Sequence, residues 1–397
     1  MRVANLRSAL MSAALGAGLL VGLGAAPAHA AGFLVTNLVS DGSVPAATID
    51  PALINPWGIS YGPTSPFWVS DNNSGVSTLY TGAGGKVPLT VTIAPPMGGS
   101  GPAAPTGQVF NPSSSTDFKV SSGGKTAGAV FMFGTEDGTI SGWAPSVDGT
   151  HSILAVDNST QGLGAVYKGL ALGNSGGSNF LYGADFRNGR IDQYDSSFNL
   201  VRTFTDPTVA AGYAPFNAQV LDGHLFVTFA LQNGAKHDDV AGAGNGYVDV
   251  FNLDGSFNRR LVSLGGEINS PWGLDIAPAH FGAFSGDLLV GNFGDGTISA
   301  FDPTSGAFAG KLSGPGGDPI VLGDLWGLIN GNGGPGADPD KVYFTAGVKD
   351  EAHGLFGSIS AVPEPASWTM MILGFGAVGG MLRRRAAITR GFAPAAA

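Results

Sequence analysis

A closed six-bladed β-propeller is the fold class this sequence predicts, on three observations: a high density of chain breakers, one phrase repeated six times, and an apolar segment near the start that can complete the last repeat. The 397 residues include 65 glycines and 25 prolines, with neither a collagen period nor a long helical pattern, so many short strands joined by turns are expected. Regular short strands also suit a β-sandwich or a parallel β-helix, and the repeat is what favours the propeller.

The phrase opens with a turn and a Gly-containing apolar strand. Its copies are Asn55-Pro56-Trp57-Gly58-Ile59, Pro105-Thr106-Gly107-Gln108-Val109, Tyr167-Lys168-Gly169-Leu170, Phe216-Asn217-Ala218-Gln219-Val220, Ser270-Pro271-Trp272-Gly273-Leu274 and Leu325-Trp326-Gly327-Leu328. Anchored on Gly58, Gly107, Gly169, Ala218, Gly273 and Gly327, they are spaced by 49, 62, 49, 55 and 54 residues. An apolar second strand follows each opening, then a turn such as Glu136-Asp137-Gly138 or Gly294-Asp295-Gly296, then a third strand. Outer fourth strands are expected over 87–93, 152–156, 200–205, 258–264 and 308–312. The sixth is absent where expected, and residues 33–39 have the length and apolar character to supply it, which would close the ring and leave few exposed edges.

The ends read as addresses. Residues 1–30 carry Arg2 and Arg7, an apolar stretch and then Ala28-His29-Ala30, a signal-peptide pattern with cleavage before Ala31. At the other end, Pro363-Glu364-Pro365 precedes an uncharged run of 17 residues, 366–382, and then Arg383, Arg384 and Arg385. That length is the short limit for a transmembrane helix, and the arginines would keep residues 387–397 as a cytoplasmic tail. The expected division is therefore signal peptide 1–30, propeller 31–361, sorting signal 362–386 and tail 387–397. The order of Pro-Glu-Pro, Trp368, Gly-rich apolar run and Arg cluster closely resembles the PEP-CTERM sorting signal of Gram-negative bacteria. The N-terminal pattern implies signal peptidase as a processing partner, and the resemblance implies exosortase, tethering to the inner membrane during sorting, then a place at the cell surface or outside the cell, in organisms that make exopolysaccharide.

Composition narrows the chemistry. With 19 basic against 29 acidic residues the net charge is −10, and six of the 19 (Arg2, Arg7, Arg383, Arg384, Arg385, Arg390) lie in the ends, so the body lacks the basic stripe that nucleic acid requires. Cysteine is absent, which removes disulfides, thiolate metal sites and a Cys nucleophile. Gly124-Lys125-Thr126 ends like a P-loop, but Lys119 stands where the first Gly is needed, and Asp71-Asn72-Asn73 lacks the spacing of a calcium loop. No nucleophile elbow, HExxH helix or dinucleotide fingerprint is present.

In a propeller the residues just before each inner strand ring one end of the central channel. Here they are Asn55, Thr106, Lys168, Asn217, Asn269 and Asp324, with Trp57, Trp272 and Trp326 close by. The Asn and Asp oxygens suit a ligand or a hard divalent cation in the channel. Equally, Asn and Ser before Pro-Trp favour turns, and the tryptophans suit packing between blades. Two longer turns belong to the same face: residues 232–245 with Lys236-His237-Asp238-Asp239, and Lys349-Asp350-Glu351-Ala352-His353-Gly354. These hold the dense acid, base and metal-ligand candidates of the body, namely His237, Asp238, Asp239, Asp350, Glu351 and His353. Folded over the channel, the turns would let His237 and His353 meet, each oriented by a carboxylate. Held away from it, they are solvated loops.

The wording of these repeats, with Asn269-Ser270-Pro271-Trp272-Gly273, Gly291-Asn292-Phe293-Gly294-Asp295-Gly296 and Asp350-Glu351-Ala352-His353-Gly354-Leu355, resembles a family of bacterial secreted propeller-like proteins from about residue 33 to 362. More distantly it is similar to NHL-type and gluconolactonase-like six-bladed propellers. The latter resemblance implies a divalent metal held by an inner-ring Glu, Asn and Asp. Asn55, Asn217 or Asn269 and Asp324 occupy comparable places, and no inner-ring Glu is evident. Two function classes follow: a non-catalytic matrix or envelope module binding glycan or protein, and a metal-dependent hydrolase, lactonase-like enzyme or lyase acting at the channel.

Overall fold

The computed structural model describes residues 32–362, and the expected signal peptide, transmembrane run and cytoplasmic tail lie outside them. Six antiparallel sheets encircle one axis. From the axis outward, blade one is Pro56–Ser60, Phe67–Asp71, Val76–Tyr80 and Lys86–Thr92. Blade two is Pro105–Phe110, Phe131–Thr135, Thr139–Trp143 and Ile153–Asp157. Blade three is Tyr167–Ser175, Ser178–Asp185, Arg190–Tyr194 and Leu200–Phe204, and blade four is Tyr213–Leu221, His224–Leu231, Tyr247–Phe251 and Phe257–Val262. Blade five is Pro271–Ile276, Leu288–Asn292, Ile298–Phe301 and Phe308–Lys311.

Blade six takes Leu325–Asn330, Val342–Ala346 and Leu355–Ala361 from the end of the body and Phe33–Ser40 from its start. Phe33 lies opposite Ala361, Val35 opposite Ile359 and Ser40 opposite Leu355. The N-terminal strand therefore closes the ring, as the missing sixth outer strand predicts. Its Phe33 ring reaches across to blade five, 4.8 Å from Phe281 and 5.8 Å from Phe284 between centroids.

Burial explains why the strands do not read as simple alternations. A blade is covered by a neighbour on each face, so second strands such as Phe67–Asp71 and Phe131–Thr135 are buried throughout, whereas the outer strand Leu200–Phe204 is almost wholly exposed. The core is a set of seams between blades. Trp68 and Leu79 meet Phe131 and Trp143 between blades one and two, and Tyr182 meets Phe229 between blades three and four.

The anchor glycines have a steric cause. A Cβ on Gly58 would overlap the Thr106 carbonyl oxygen, on Gly107 the Leu170 amide nitrogen, on Gly169 the Asn217 side chain and on Gly273 the Trp326 carbonyl oxygen. Each lies where one inner strand touches the next blade's inner strand, which is why the sequence repeats there. Three features escaped the sequence reading. Blade two carries an extra hairpin, Lys119–Ser122 with Lys125–Gly128, which accounts for the 62-residue spacing and puts Gly124-Lys125-Thr126 at a hairpin turn. A two-residue strand, Thr48–Ile49, pairs parallel with the closing strand, and Gly282–Phe284 forms a 3-10 turn. Among the described residues no helix is long and apolar enough to cross a membrane.

Candidate functional site

Each inner strand starts at one face of the ring. Pro56 pairs with Asp71 and Leu325 with Ala346 at that face, so the turns joining second to third strands lie there too. This is the face on which the sequence places its candidates.

Lys168 is the centre of the mouth. It opens the inner strand of blade three, is only 2% exposed, and its Nζ lies 4.9 Å from the Trp57 ring centroid. Nζ donates to Glu136 Oε1 and reaches Asp238 Oδ1 at 3.4 Å. A buried ammonium is tolerated when carboxylates surround it, and here blades two and four supply them. Glu136 Oε2 in turn accepts from Asn72 Nδ2 at 2.9 Å. His237 Nδ1 bonds Asp238 Oδ1 at 2.7 Å, and this bond, with the charge of Lys168, holds the Asp238 carboxyl down to about 2. Glu136, His237 and Asp238 offer three potential ligand atoms within 4.8 Å of one another. Lys168 already contributes a positive charge to that group.

Glu351 enters from blade six. Its Oε2 accepts from Asn55 Nδ2 at 3.1 Å, and its backbone N–H donates to Asp324 Oδ2 at 3.2 Å. Burial, reinforced by the negative charge of Glu136, pushes its carboxyl up to about 7. The turn that carries it is strained: Val348, Lys349, Asp350 and Glu351 have φ of 30°, 57°, 57° and 61°, four successive non-glycine residues in left-handed conformation. Surrounding bonds hold it there, from Asn73 Nδ2 to the Glu351 carbonyl at 2.9 Å and from Lys349 Nζ to the Ser43 carbonyl at 2.9 Å. Strain so firmly held is a recurrent feature of functional sites.

Beneath the mouth the channel is filled by rings. Trp57 stacks on Trp326 with centroids 3.4 Å apart, Trp272 meets Trp326 edge-on at 5.7 Å, and Phe293 stacks on Trp326 at 4.2 Å. These three tryptophans thus close the axis and do not pack between blades. Two are tied by their indole N–H groups, Trp326 to Asn55 Oδ1 at 3.0 Å and Trp272 to the Lys168 carbonyl at 3.0 Å. Trp57 Nε1 is buried with no acceptor among the described residues.

The sequence candidates divide. Asn55, Lys168, Asp238, Asp324 and Glu351 converge on the mouth. Asn217 and Asn269 lie on the ring but serve the framework: Asn217 Nδ2 donates to the Trp272 carbonyl at 2.8 Å, and Asn269 Oδ1 accepts from the Gly242 amide at 2.7 Å. Thr106 likewise donates to the Tyr167 carbonyl at 2.6 Å. Asp239 has its carboxyl raised by burial, and Asp350 is exposed. Each imidazole does find an orienting carboxylate, but His353 turns to Asp41 Oδ2 at 2.6 Å, in the segment after the closing strand. His353 therefore stands apart from the Glu136, His237 and Asp238 group, because Asp41 captures it. Glu136 is the residue the sequence reading missed. Its signal was present, since it occupies a turn between second and third strands of the face already singled out. Glu136 and Glu351 bring to the mouth the glutamates that the inner ring itself lacks.

Comparison with known proteins fits this description. Residues 361–385 match the PEP-CTERM protein-sorting motif, which implies export, processing by an exosortase and sorting to the cell surface. The soluble aldose sugar dehydrogenase of Escherichia coli, in its apo-form, superposes with a TM-score of 0.51 at 12% identity over 83% of this chain and 99% of its own, a likeness of fold alone. Two proteins of Acanthamoeba polyphaga mimivirus align over 333 residues and 82% of this chain: "Uncharacterized protein L690" at 35% identity over 85% of its length, and "Uncharacterized protein R648" at 33% over 79%. With that identity over nearly the whole described body, the chain belongs to the propeller family that includes these two mimivirus proteins.

Proposed function

We propose that this is an exosortase-sorted envelope or matrix propeller that binds a polar ligand, a glycan segment of the exopolysaccharide layer, at the mouth of its channel. The observation that carries the reading is the convergence of Glu136, Lys168, Asp238, Glu351 and Asn55 from five blades over an aromatic plug. The carboxylates of Glu136, Asp238 and Glu351 are acceptors for hydroxyl groups, and the buried Lys168 and Asn55 beneath them hold them in place. Binding without turnover is favoured because the Lys168 ammonium is tied to Glu136 and Asp238, which leaves no activated nucleophile at the mouth. The test is retention of purified exopolysaccharide by the exported protein and by Lys168→Met and Glu351→Gln variants. Binding lost in both supports the reading, and binding unchanged in both removes it.

A second reading has its own observation. Glu351 at about 7 and Asp238 at about 2 are carboxyls whose surroundings push them apart, the pattern of a general acid and a general base. A hydrolase or lyase at the mouth, with or without a divalent cation at Glu136, His237 and Asp238, would show turnover of a glycan or lactone with a pH limb near 7 that Glu351→Gln abolishes.

A further inference from the structure

The channel has a second end. Beyond the aromatic plug, on the face where Ser60 pairs with Trp68 and Asn330 with Val342, a cavity of about 480 Å³ runs between the inner strands. Its lining contains no charged side chain, in contrast to the mouth above. Ile59, Leu170, Leu172, Val220 and Leu328 form walls, and Trp272 forms the floor. The amides inside the wall are already spent: Asn217 Nδ2 on the Trp272 carbonyl at 2.8 Å, and Gln108 Nε2 on the Gly58 carbonyl at 3.1 Å. Ser60, Tyr61, Asn174, Asn179 and Gln219 add polar groups to an otherwise largely apolar lining, so the cavity suits a molecule with an alkyl chain and a polar head.

The cavity also faces a particular way. Val362 donates its amide to the Gly32 carbonyl at 2.9 Å, and Ala361 pairs with Phe33, so both ends of the described body leave from this same face. Only three residues separate Val362 from the apolar run 366–382 in the sequence. This is therefore the face of the body nearest in sequence to that run. The run itself does not fit as a helix, since a helix with side chains is roughly 10 Å across and a 17-residue one roughly 25 Å long, far more than this volume.

We propose that this lower cavity binds the alkyl chain of a lipid-class molecule, with the chain against Leu172 and Val220 and its head group at the rim beside Gln219 and Asn174. The site is separate from the mouth and does not depend on what the mouth binds. Because Trp272 is its floor, a brominated chain seated there quenches tryptophan fluorescence. The test titrates the exported, processed protein with bromododecanol, and separately with phosphatidylcholine vesicles carrying brominated acyl chains. Saturable quenching at one chain per protein is expected, weakened at least tenfold by Leu172→Phe and by Val220→Phe, which fill the cavity, and unchanged in Gly149→Ala at an open position away from it. Circular dichroism of both filled variants shows whether they remain folded. Quenching by the alcohol alone identifies a free amphiphile as the ligand, and quenching by the vesicles identifies membrane lipid. Absence of saturable quenching in both arms, or quenching that folded filled variants keep, overturns the proposal.

Discussion

The Asn55 carboxamide donates to Glu351 Oε2 at 3.1 Å and so joins the first blade to the last across 296 positions of sequence. The same carboxamide accepts from the Trp326 indole at 3.0 Å, so one side chain ties the mouth, the plug and the closure of the ring together. Disturbing the charge of Glu351 should therefore be felt by the whole fold.

The pH dependence of stability follows from that carboxyl. Glu351 is raised from 4.5 to about 7, and Asp249 beside Arg260 is raised from 3.8 to about 7, both chiefly by burial. A carboxyl raised in the folded state keeps its proton where the unfolded chain has released it, so stability falls as pH climbs from about 4 through about 7. Asp238, held down to about 2, acts in the opposite sense, and its contribution is lost only in stronger acid. Melting should come at a higher temperature at pH 5 than at pH 8, with a smaller difference in Glu351→Gln. A melting temperature that rises from pH 5 to pH 8 would refute this assignment.

Lys168→Met removes the ammonium that two carboxylates surround. Breaking a buried ion pair from one side costs about 3–5 kcal/mol, which a denaturant titration would read. The same change frees Glu136, His237 and Asp238 for a cation, so Mn²⁺ should raise the melting temperature of the variant more than that of the parent. Equal shifts in both proteins would mean that Lys168 does not guard that group.

Asp350→Gly relieves an exposed left-handed residue. A gain of roughly 1–2 kcal/mol is expected, the strain an L-residue carries in that conformation. The price should be weaker glycan retention, because the turn that holds Glu351 becomes looser. A variant that is no more stable than the parent would show that the turn stores no strain.

Phe33→Ala tests the closure. The ring of Phe33 is 3% exposed and packs on Phe281 and Phe284 of the neighbouring blade. Truncation of such a buried aromatic costs about 3–5 kcal/mol. Because the strand seals the ring, hydrogen exchange should accelerate in blade six more than in blade three. Uniform acceleration around the ring would contradict a role specific to closure.

Gly107→Ala and Gly149→Ala form a matched pair. A Cβ at Gly107 overlaps the Leu170 backbone, while one at Gly149 meets nothing within 4 Å. The first should lose several kcal/mol or fail to fold, and the second should stay within about 0.5 kcal/mol of the parent, as open surface positions do. Similar stability in the two variants would disprove the close approach of the inner strands.

The sequence by itself determined the ring: the anchors Gly58, Gly107, Gly169, Gly273 and Gly327 recur because neighbouring backbones touch at those points, and a steric demand repeated in space is written as a repeat in the chain. It also carried the sorting motif, which is read as a linear peptide. Pairing among the mouth residues was decided in three dimensions. His353 belongs to Asp41, Glu136 to Lys168 and Asn55 to Glu351, partners 32 to 312 positions apart that no local pattern connects. The sequence put Trp57, Trp272 and Trp326 near the channel but left open whether they face its axis or the seams between blades, and it gave no sign of the cavity beneath, because which side of an inner strand faces the axis depends on how tightly six sheets converge, a property of the closed ring and not of any one blade.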